Sequence, residues 1–380
     1  MGEEESQPRR KRTTLLWKIL GATVASLIVL QMVNRPVTSV RGPLKVLTPP
    51  FTADKSEIIQ ELRDRKFQAL DAQLNSYQKG FEKNALEEGN LALAFDAFGF
   101  TDTSLNSILN EWVKSEPDSY PAHLARAKYL LALGWQARGD QDTDKTSDQQ
   151  FSEMKRLFGE SANEAVAAIK LNPKASIAYA AIIDAAKGVS DRKTMDVVYA
   201  AGIRNVPLSL SIKTTVMSAL KPRWGGSYEA MSKFAEDAQK YIQQNPRLES
   251  LKGFADVDKA DIASSYGDRN KAIRYYNQAL VEGGDFAVAY SGRGSAYDEI
   301  HRFDDALEDL TRANRLRPQE PFTLKALAYL YVHVNRPKDA LAVIQGYQQF
   351  AVLPPDLVTL ERWAQNSDTG AAPVVKTGGN

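Results

Sequence analysis

Among the side chains of this protein, the carboxylates are the best suited to acid and base catalysis. Asp298 and Glu299 are neighbours, as are Asp304 and Asp305, and Asp184 lies farther upstream. Two carboxylates held close together can divide the roles of acid and base, because one negative charge raises the pKa of the other. The chain has 47 acidic residues, so such neighbours are expected on a solvated surface. We predict that these acids are solvated.

Metal-binding patterns in the sequence are incomplete. Three aspartates alternate like the opening of a calcium loop: Asp140, Asp142 and Asp144. Lys145 stands where that loop needs a glycine, and Phe151 stands where it needs a closing acid. The three histidines lie too far apart to form a zinc pair at helical spacing: His123, His301 and His333. We therefore predict no metal site and no other cofactor.

A catalytic nucleophile is also missing from the sequence patterns. The chain contains no cysteine, which excludes disulfides, thiolate catalysis and thiolate metal sites. Gly292-Arg293-Gly294 has the glycine spacing of a phosphate cradle, but it lies within a helical pattern and no strand precedes it, so we predict that it serves packing. No serine-hydrolase motif is present. The sequence therefore predicts a protein without catalytic activity.

The composition and net charge of the chain limit the classes of molecule that it is expected to bind. The formal charge is only +1 over 380 residues, and nucleic-acid binding requires a broad basic field. The hydrophobic fraction of 43% is sufficient for a large core. We therefore predict a folded body that does not bind nucleic acid.

The elements that must position these residues are predicted to be helices. Apolar residues recur at helical spacing over 56–79, 91–98 and 105–113. Pro121 is placed to open another helix, since proline is favoured in a first turn, and a further amphipathic helix is predicted over 228–244. No alternating apolar pattern bounded by hairpin turns is present. The sequence therefore predicts an all-α fold.

Small residues recur with a period of 34 in the last third of the chain. Two series share this spacing: Ala272, Ala306 and Ala340, and Ala260, Gly294 and Ala328. Such a period is typical of stacked helical hairpins, in which each hairpin buries its apolar face against the next. Small residues are needed where two helices cross closely. These positions are therefore predicted to pack the repeats together.

The middle unit resembles a tetratricopeptide repeat. Its aromatic, small, large and proline positions match that family: Tyr290, Gly294, Tyr297, Ala306, Leu310, Ala313 and Pro318. Arg293 departs from the pattern, since a large apolar residue is usual there. The unit before it contributes Ala279 and the unit after it Tyr331. The resemblance implies three repeats over 251–354, in a helical-hairpin solenoid with a right-handed superhelix.

Residues 55–250 carry a weaker form of the same period. Ala168 and Gly202 are 34 residues apart, and each is followed by a proline, Pro173 and Pro207. Residues 57–250 also resemble a bacterial family of unknown function associated with such repeats. That likeness is carried by Trp224-Gly225-Gly226 and by the segment Gly-Trp-Gln-Ala-Arg-Gly at 134–139. It implies no particular activity.

A binding groove follows from the first resemblance. In tetratricopeptide repeat proteins the first helix of each repeat lines a concave groove that takes a protein or peptide partner. The residues that the resemblance places there are Phe254, Val257, Asp261, Val288, Ser291, Ser295, Asp298, Phe322, Lys325, Tyr329 and His333. Arg223 and Trp224, in an irregular turn, form a possible second contact.

The N-terminal segment is predicted to cross a membrane. Residues 1–12 form a basic cytoplasmic stub, and 13–33 an apolar helix of about 32 Å, long enough for a bilayer core. The basic cluster Arg9–Arg12 precedes the span, which favours an exported body. In a bacterium this places the body in the periplasm, tethered to the inner membrane by the proline-rich residues 34–54. A cleaved signal peptide and a buried soluble helix are the alternatives.

The sequence leaves more than one function open. We expect a single-pass, membrane-anchored scaffold whose repeats bind a protein or peptide partner, with a final helical segment and disordered tail over 355–380. A novel hydrolytic or glycan-binding domain at 55–250 is the alternative, in which Trp224 and paired acids of raised pKa would line a pocket. A purely structural spacer is the third possibility.

Overall fold

The structure is a computed structural model that describes residues 49–139, 141 and 145–366. These residues contain seventeen α-helices, with short 3-10 turns between some of them, and no strand. The α-helices are α1 Lys55–Arg63, α2 Phe67–Lys83, α3 Glu88–Asp96, α4 Leu105–Ser115, α5 Tyr120–Arg138, α6 Asp148–Leu171, α7 Ser176–Gly188, α8 Arg192–Asn205, α9 Leu210–Ala219, α10 Tyr228–Ala238, α11 Phe254–Ser265, α12 Arg269–Gly283, α13 Ala287–Glu299, α14 Phe303–Leu316, α15 Pro321–His333, α16 Pro337–Gln348 and α17 Pro355–Gln365.

Two predicted helices differ from those in the structure. The helix expected over 56–79 is divided into α1 and α2, because Arg65 adopts a left-handed conformation with φ of 55° that ends the first helix. The helix expected over 228–244 ends at Ala238, where a 3-10 turn, Gln239–Tyr241, follows. Tighter 3-10 turns are common at the ends of α-helices, and a period of apolar residues does not distinguish them from a continuing helix.

The last third of the described chain consists of three helical hairpins, α11–α12, α13–α14 and α15–α16. The turn within each hairpin has one residue in the left-handed region: Gly267, His301 and Asn335, with φ of 81°, 61° and 54°. These residues are also 34 apart. His301 is therefore a turn residue, and the repeated backbone conformation gives each hairpin the same turn.

Small residues lie at the helix crossings. Several positions of the 34-residue series are completely buried: Ala260, Ala272, Ala279, Ala306, Ala313, Ala328 and Ala340. A Cβ atom on Gly294 would lie 2.8 Å from the Cγ of Leu310, which leaves no room for a larger residue. Tyr297 and Leu310 are fully buried beside it, whereas Pro318 and Tyr331 are half-buried.

Arg293, which departs from the repeat pattern, is buried in an ion pair. Its exposure is 1%, and its Nε and Nη2 atoms donate to the two carboxylate oxygens of Asp309 at 2.6 and 2.8 Å. Nη1 donates to Asn277 at 2.5 Å. The guanidinium also lies near the rings of Tyr290 and Tyr297. A bidentate pair between α13 and α14 thus replaces the usual apolar contact.

The first described residues are fixed to the helices that follow. The Asn90 side chain accepts from the backbone N–H of Thr52 at 2.8 Å and of Ala53 at 3.2 Å, and it donates to the carbonyl of Pro50 at 3.3 Å. This segment is the last part of the predicted tether. Residues 34–48 of the tether, like 367–380 of the predicted tail, lie outside the described residues.

Candidate functional site

An apolar ladder runs along the starts of the three first helices. Phe254, Val288 and Phe322 occupy equivalent positions, 34 residues apart, in the first turns of α11, α13 and α15. Phe254 is half-buried and stacks on Phe286 with 5.7 Å between ring centroids. Val288 and Phe322 are 42% and 55% exposed. The exposed apolar surface of the ladder therefore increases toward the third hairpin.

Polar residues predicted to line the groove join neighbouring hairpins instead. The hydroxyls of Ser291 and Thr323 share a hydrogen bond of 3.0 Å. The Nδ1 atom of His333 lies 2.9 Å from both carboxylate oxygens of Asp298, which is buried. This hydrogen bond raises the pKa of His333, although burial opposes the shift. These side chains hold the second hairpin to the third.

Other predicted groove residues make contacts within their own hairpin. Val257 is buried, and the Ser295 hydroxyl donates to the Ser291 carbonyl at 3.1 Å. The Asp261 carboxylate accepts from the Tyr276 hydroxyl at 2.7 Å. Burial raises the pKa of Asp261 despite this hydrogen bond. Periodicity placed these residues on the first helices but did not show that each has a bonding partner inside the chain.

The final helix, α17, engages the two polar groove residues of the third hairpin. The Asp356 carboxylate pairs with Lys325 Nζ at 2.6 Å and accepts from the Tyr329 hydroxyl at 2.7 Å. Burial opposes ionisation of Asp356, but these two donors hold its pKa below the usual value. Lys325 and Tyr329 are thus held by α17, in contrast to the open groove that the sequence predicts for them.

The possible second contact, Arg223 and Trp224, also has partners within the chain. The Trp224 ring packs edge-on against Trp135 with 5.8 Å between centroids, and Lys187 Nζ lies 4.9 Å from the Trp135 ring centre and 5.2 Å from that of Trp224. Arg223 Nη2 pairs with Asp258 of α11 at 2.6 Å. The two segments that carry the second resemblance therefore meet at the two tryptophans.

A partly open cavity of about 510 Å³ lies between the N-terminal helices and the first two hairpins. Helices α3, α5, α7 and α9 and the turn between α12 and α13 contribute to its wall. Apolar side chains form much of the lining: Phe51, Leu93, Leu131, Ile177, Leu210 and Phe286. Of the residues predicted for the groove, Phe254 and Val288 reach this cavity.

One corner of the cavity is charged. The Asp96 carboxylate lies 2.9 Å from Lys128 Nζ and 2.8 Å from Arg317 Nη2. Burial opposes ionisation of Asp96, but the positive charges of Lys128, Arg317 and Lys55 hold its pKa well below the usual range. The hydrolytic alternative required paired acids of raised pKa, and the pKa of Asp96 moves in the opposite direction.

Next to this charged corner, α1 contacts the segments that flank the third hairpin. Lys55 is only 2% exposed, and its Nζ donates to the Gln319 carbonyl at 2.8 Å. The ammonium lies 5.3 Å from the ring centre of Phe100 and 5.4 Å from that of Phe350. Burial lowers the pKa of Lys55 to about 8. This contact joins residues that are 264 positions apart.

Four of the five acids that open the sequence analysis pair with basic side chains, whereas Asp304 is exposed. Asp184 lies 2.5 Å from Lys187 Nζ, Asp305 lies 2.6 Å from Arg302, and Glu299 pairs with Arg269. Within the described ranges, no group of three or more His, Cys, Asp or Glu side chains is placed to hold a metal ion. The alternating aspartates, Asp140, Asp142 and Asp144, lie outside the described residues.

The predicted membrane span, 13–33, also lies outside the described residues. Among the helices that the structure describes, none combines the length and the apolar character needed to cross a bilayer.

Parts of this chain are similar to one known domain family and to two known proteins. Residues 55–193 match a domain of unknown function, DUF4034. The human tetratricopeptide repeat protein 28 is 32% identical over 97 residues, and its mouse counterpart is 30% identical over 108 residues. These matches cover 26% and 28% of this chain, which spans about 4% of the length of either relative. The chain resembles tetratricopeptide repeat proteins.

Two solved structures are similar to this one. Yeast Tom70 has a TM-score of 0.43 and 12% sequence identity, with coverage of 95% of this chain and 75% of Tom70. The APC/C hetero-tetramer Cut9–Hcn1 has a TM-score of 0.31 and 17% identity, with coverage of 78% of this chain and 52% of that chain. In the residues described, the fold of this tetratricopeptide-like chain is all-α.

Proposed function

We propose that this protein is a scaffold that binds a protein partner along the apolar ladder of Phe254, Val288 and Phe322, and that it does so without catalysis. The increase in exposure along the ladder, to 42% at Val288 and 55% at Phe322, carries this proposal. Repeats present equivalent side chains at regular intervals, so an extended partner segment can contact several of them in turn. Exposed apolar side chains in a row mark an interaction surface.

The bonding of the polar groove residues supports an apolar partner segment. Asp298 and His333 are hydrogen-bonded to each other, and Lys325 forms an ion pair with Asp356. A partner would have to break these contacts to use them, at the cost of leaving a buried carboxylate such as Asp298 without its hydrogen bond. The ladder residues are therefore the ones that can contact a partner without breaking bonds inside the chain. We expect the partner to supply leucine, isoleucine, valine or aromatic side chains.

Substitution of Phe322 by aspartate tests this docking surface. We expect Phe322→Asp to weaken capture of the partner by about tenfold or more, because a charge replaces the most exposed apolar contact. Val281→Asp is the matched control, since Val281 is 68% exposed but belongs to α12, the second helix of its hairpin, and is not a ladder residue. Quantitative mass spectrometry of proteins captured by the two full-length variants gives the comparison. Equal capture by both variants would refute docking on the ladder.

We also propose that residues 13–33 anchor the protein in a bacterial inner membrane, with the N-terminus in the cytoplasm and the body in the periplasm. The basic cluster at 9–12 and the apolar run behind it support this orientation. A fusion of alkaline phosphatase, which is active only after export, to the C-terminus should be active and remain in the membrane fraction after alkaline extraction. An inactive fusion, or one released from the membrane, would overturn this placement.

A further inference from the structure

We infer that this cavity is a second binding site, adjoining the apolar ladder at Phe254 and Val288, for a small single-chain amphiphile with a carboxylate head group. Its volume of about 510 Å³ lies within the range of about 300–1,000 Å³ that is usual for small-molecule sites. The lining is largely apolar, with side chains such as Leu93, Ile177 and Phe286. An alkyl chain is the ligand component that such a wall accommodates, because burial removes its surface from water.

The charged corner supplies the head-group site. Arg317 has five N–H donors, and among the described residues its side chain donates only to Asp96. Its side chain lies on the cavity wall and is 48% accessible. Lys128 shares the same carboxylate, and Lys55 adds a third positive charge. The corner thus has unused donors, and its three cations outnumber the two nearby carboxylates, Asp96 and Glu320, which suits an anionic head group.

The other carboxylates on the cavity wall would repel an anionic head group, so the head group should bind at the charged corner. Asp184 accepts from Trp135 Nε1 at 2.9 Å and pairs with Lys187, and Asp285 accepts from the Tyr290 hydroxyl. Glu249 places a further negative charge on the wall. An anion beside Glu249 would be repelled, whereas one beside Arg317 is attracted.

Contacts between the two ends of the described chain favour a small ligand over a polypeptide. Lys55 contacts Gln319, Asp96 pairs with Arg317, and the Phe100 and Phe350 rings lie 5.4 Å apart between centroids. These contacts bring the N-terminal segments against those that flank the third hairpin, on the side of the cavity where Asp96 and Arg317 lie. A polypeptide running through the cavity would have to separate them, while a short amphiphile would not.

Displacement of a fluorescent fatty acid tests this site in the full-length protein. The protein is held in lipid nanodiscs and titrated with 11-(dansylamino)undecanoate, and octanoate, octanol and octyltrimethylammonium are compared as competitors. Ala92→Phe places a ring in the cavity. The signal that remains in this variant measures the probe that enters the lipid. We expect saturable binding that Ala92→Phe abolishes, with octanoate about tenfold or more stronger than octyltrimethylammonium.

Two substitutions in the charged corner should have opposite effects. Arg317→Gln removes a donor and should weaken octanoate binding about tenfold, whereas Asp96→Asn removes the competing carboxylate and should strengthen it. Arg315→Gln, an exposed position just before Arg317, should leave binding unchanged. General loss of structure would weaken binding in both corner variants. Parallel weakening, insensitivity to the head group or lack of saturation would overturn the proposal.

Discussion

Substitution of Arg293 by methionine is expected to lower the free energy of unfolding by about 3–5 kcal/mol. Arg293 and Asp309 are both buried, and two hydrogen bonds of 2.6 and 2.8 Å join them. Methionine fills similar space but leaves the Asp309 carboxylate without its cation in the core. Burial already raises the pKa of Asp309 against the effect of Arg293, so the single variant should carry a protonated or strained acid there.

The double variant Arg293→Met, Asp309→Leu distinguishes this explanation from a simple loss of packing. Replacing both charges by apolar side chains removes the uncompensated carboxylate, so most of the lost stability should return. Arg315→Met, on the exposed face of α14, should change stability by less than about 0.5 kcal/mol. Urea denaturation followed by circular dichroism provides the measurement. A double variant as unstable as the single one would contradict the ion-pair account.

Lys55 is expected to make stability rise between about pH 7 and about pH 10. Burial lowers the pKa of its ammonium from 10.5 to about 8 in the folded protein. Above the folded pKa, the unfolded chain still binds the proton that the folded protein has released. Unfolding then takes up a proton, so a higher pH favours the folded state. The full shift corresponds to about 3 kcal/mol.

Lys55→Met isolates this effect from other titrating groups. Lys213, whose pKa burial also lowers to about 8, is present in both proteins and cancels in the comparison. The difference in unfolding free energy between Lys55→Met and the native protein should change by about 2–3 kcal/mol from about pH 7 to about pH 10, in favour of the native protein. A difference that does not vary with pH would show that Lys55 keeps an ordinary pKa.

The hairpins were predictable because their signal is local. Small residues such as Ala272 and Ala306 recur every 34 positions, and each is needed within a contact between neighbouring helices. Arg65 shows the limit of this signal. An arginine in the left-handed region is uncommon, and no glycine or proline in the sequence marks the break between α1 and α2.

The cavity and its charged corner were not predictable from the sequence. Asp96 and Arg317 are 221 residues apart, and Lys55 and Gln319 are 264 apart, so no repeat period relates them. The partners of the polar groove residues were not predictable for a related reason. Periodicity places Asp298 and Lys325 on the first helices, but their partners, His333 and Asp356, lie in later elements that only the packed structure brings near.

Site-specific photo-crosslinking tests the central claim, docking on the apolar ladder, most directly. A benzophenone amino acid at position 322 would report contacts of the third hairpin, and the same group at position 281 would report those of α12. The account predicts a discrete partner adduct from position 322 in intact cells and none from position 281. Adducts of equal yield from both positions, or a co-purifying partner that never crosslinks to position 322, would contradict it.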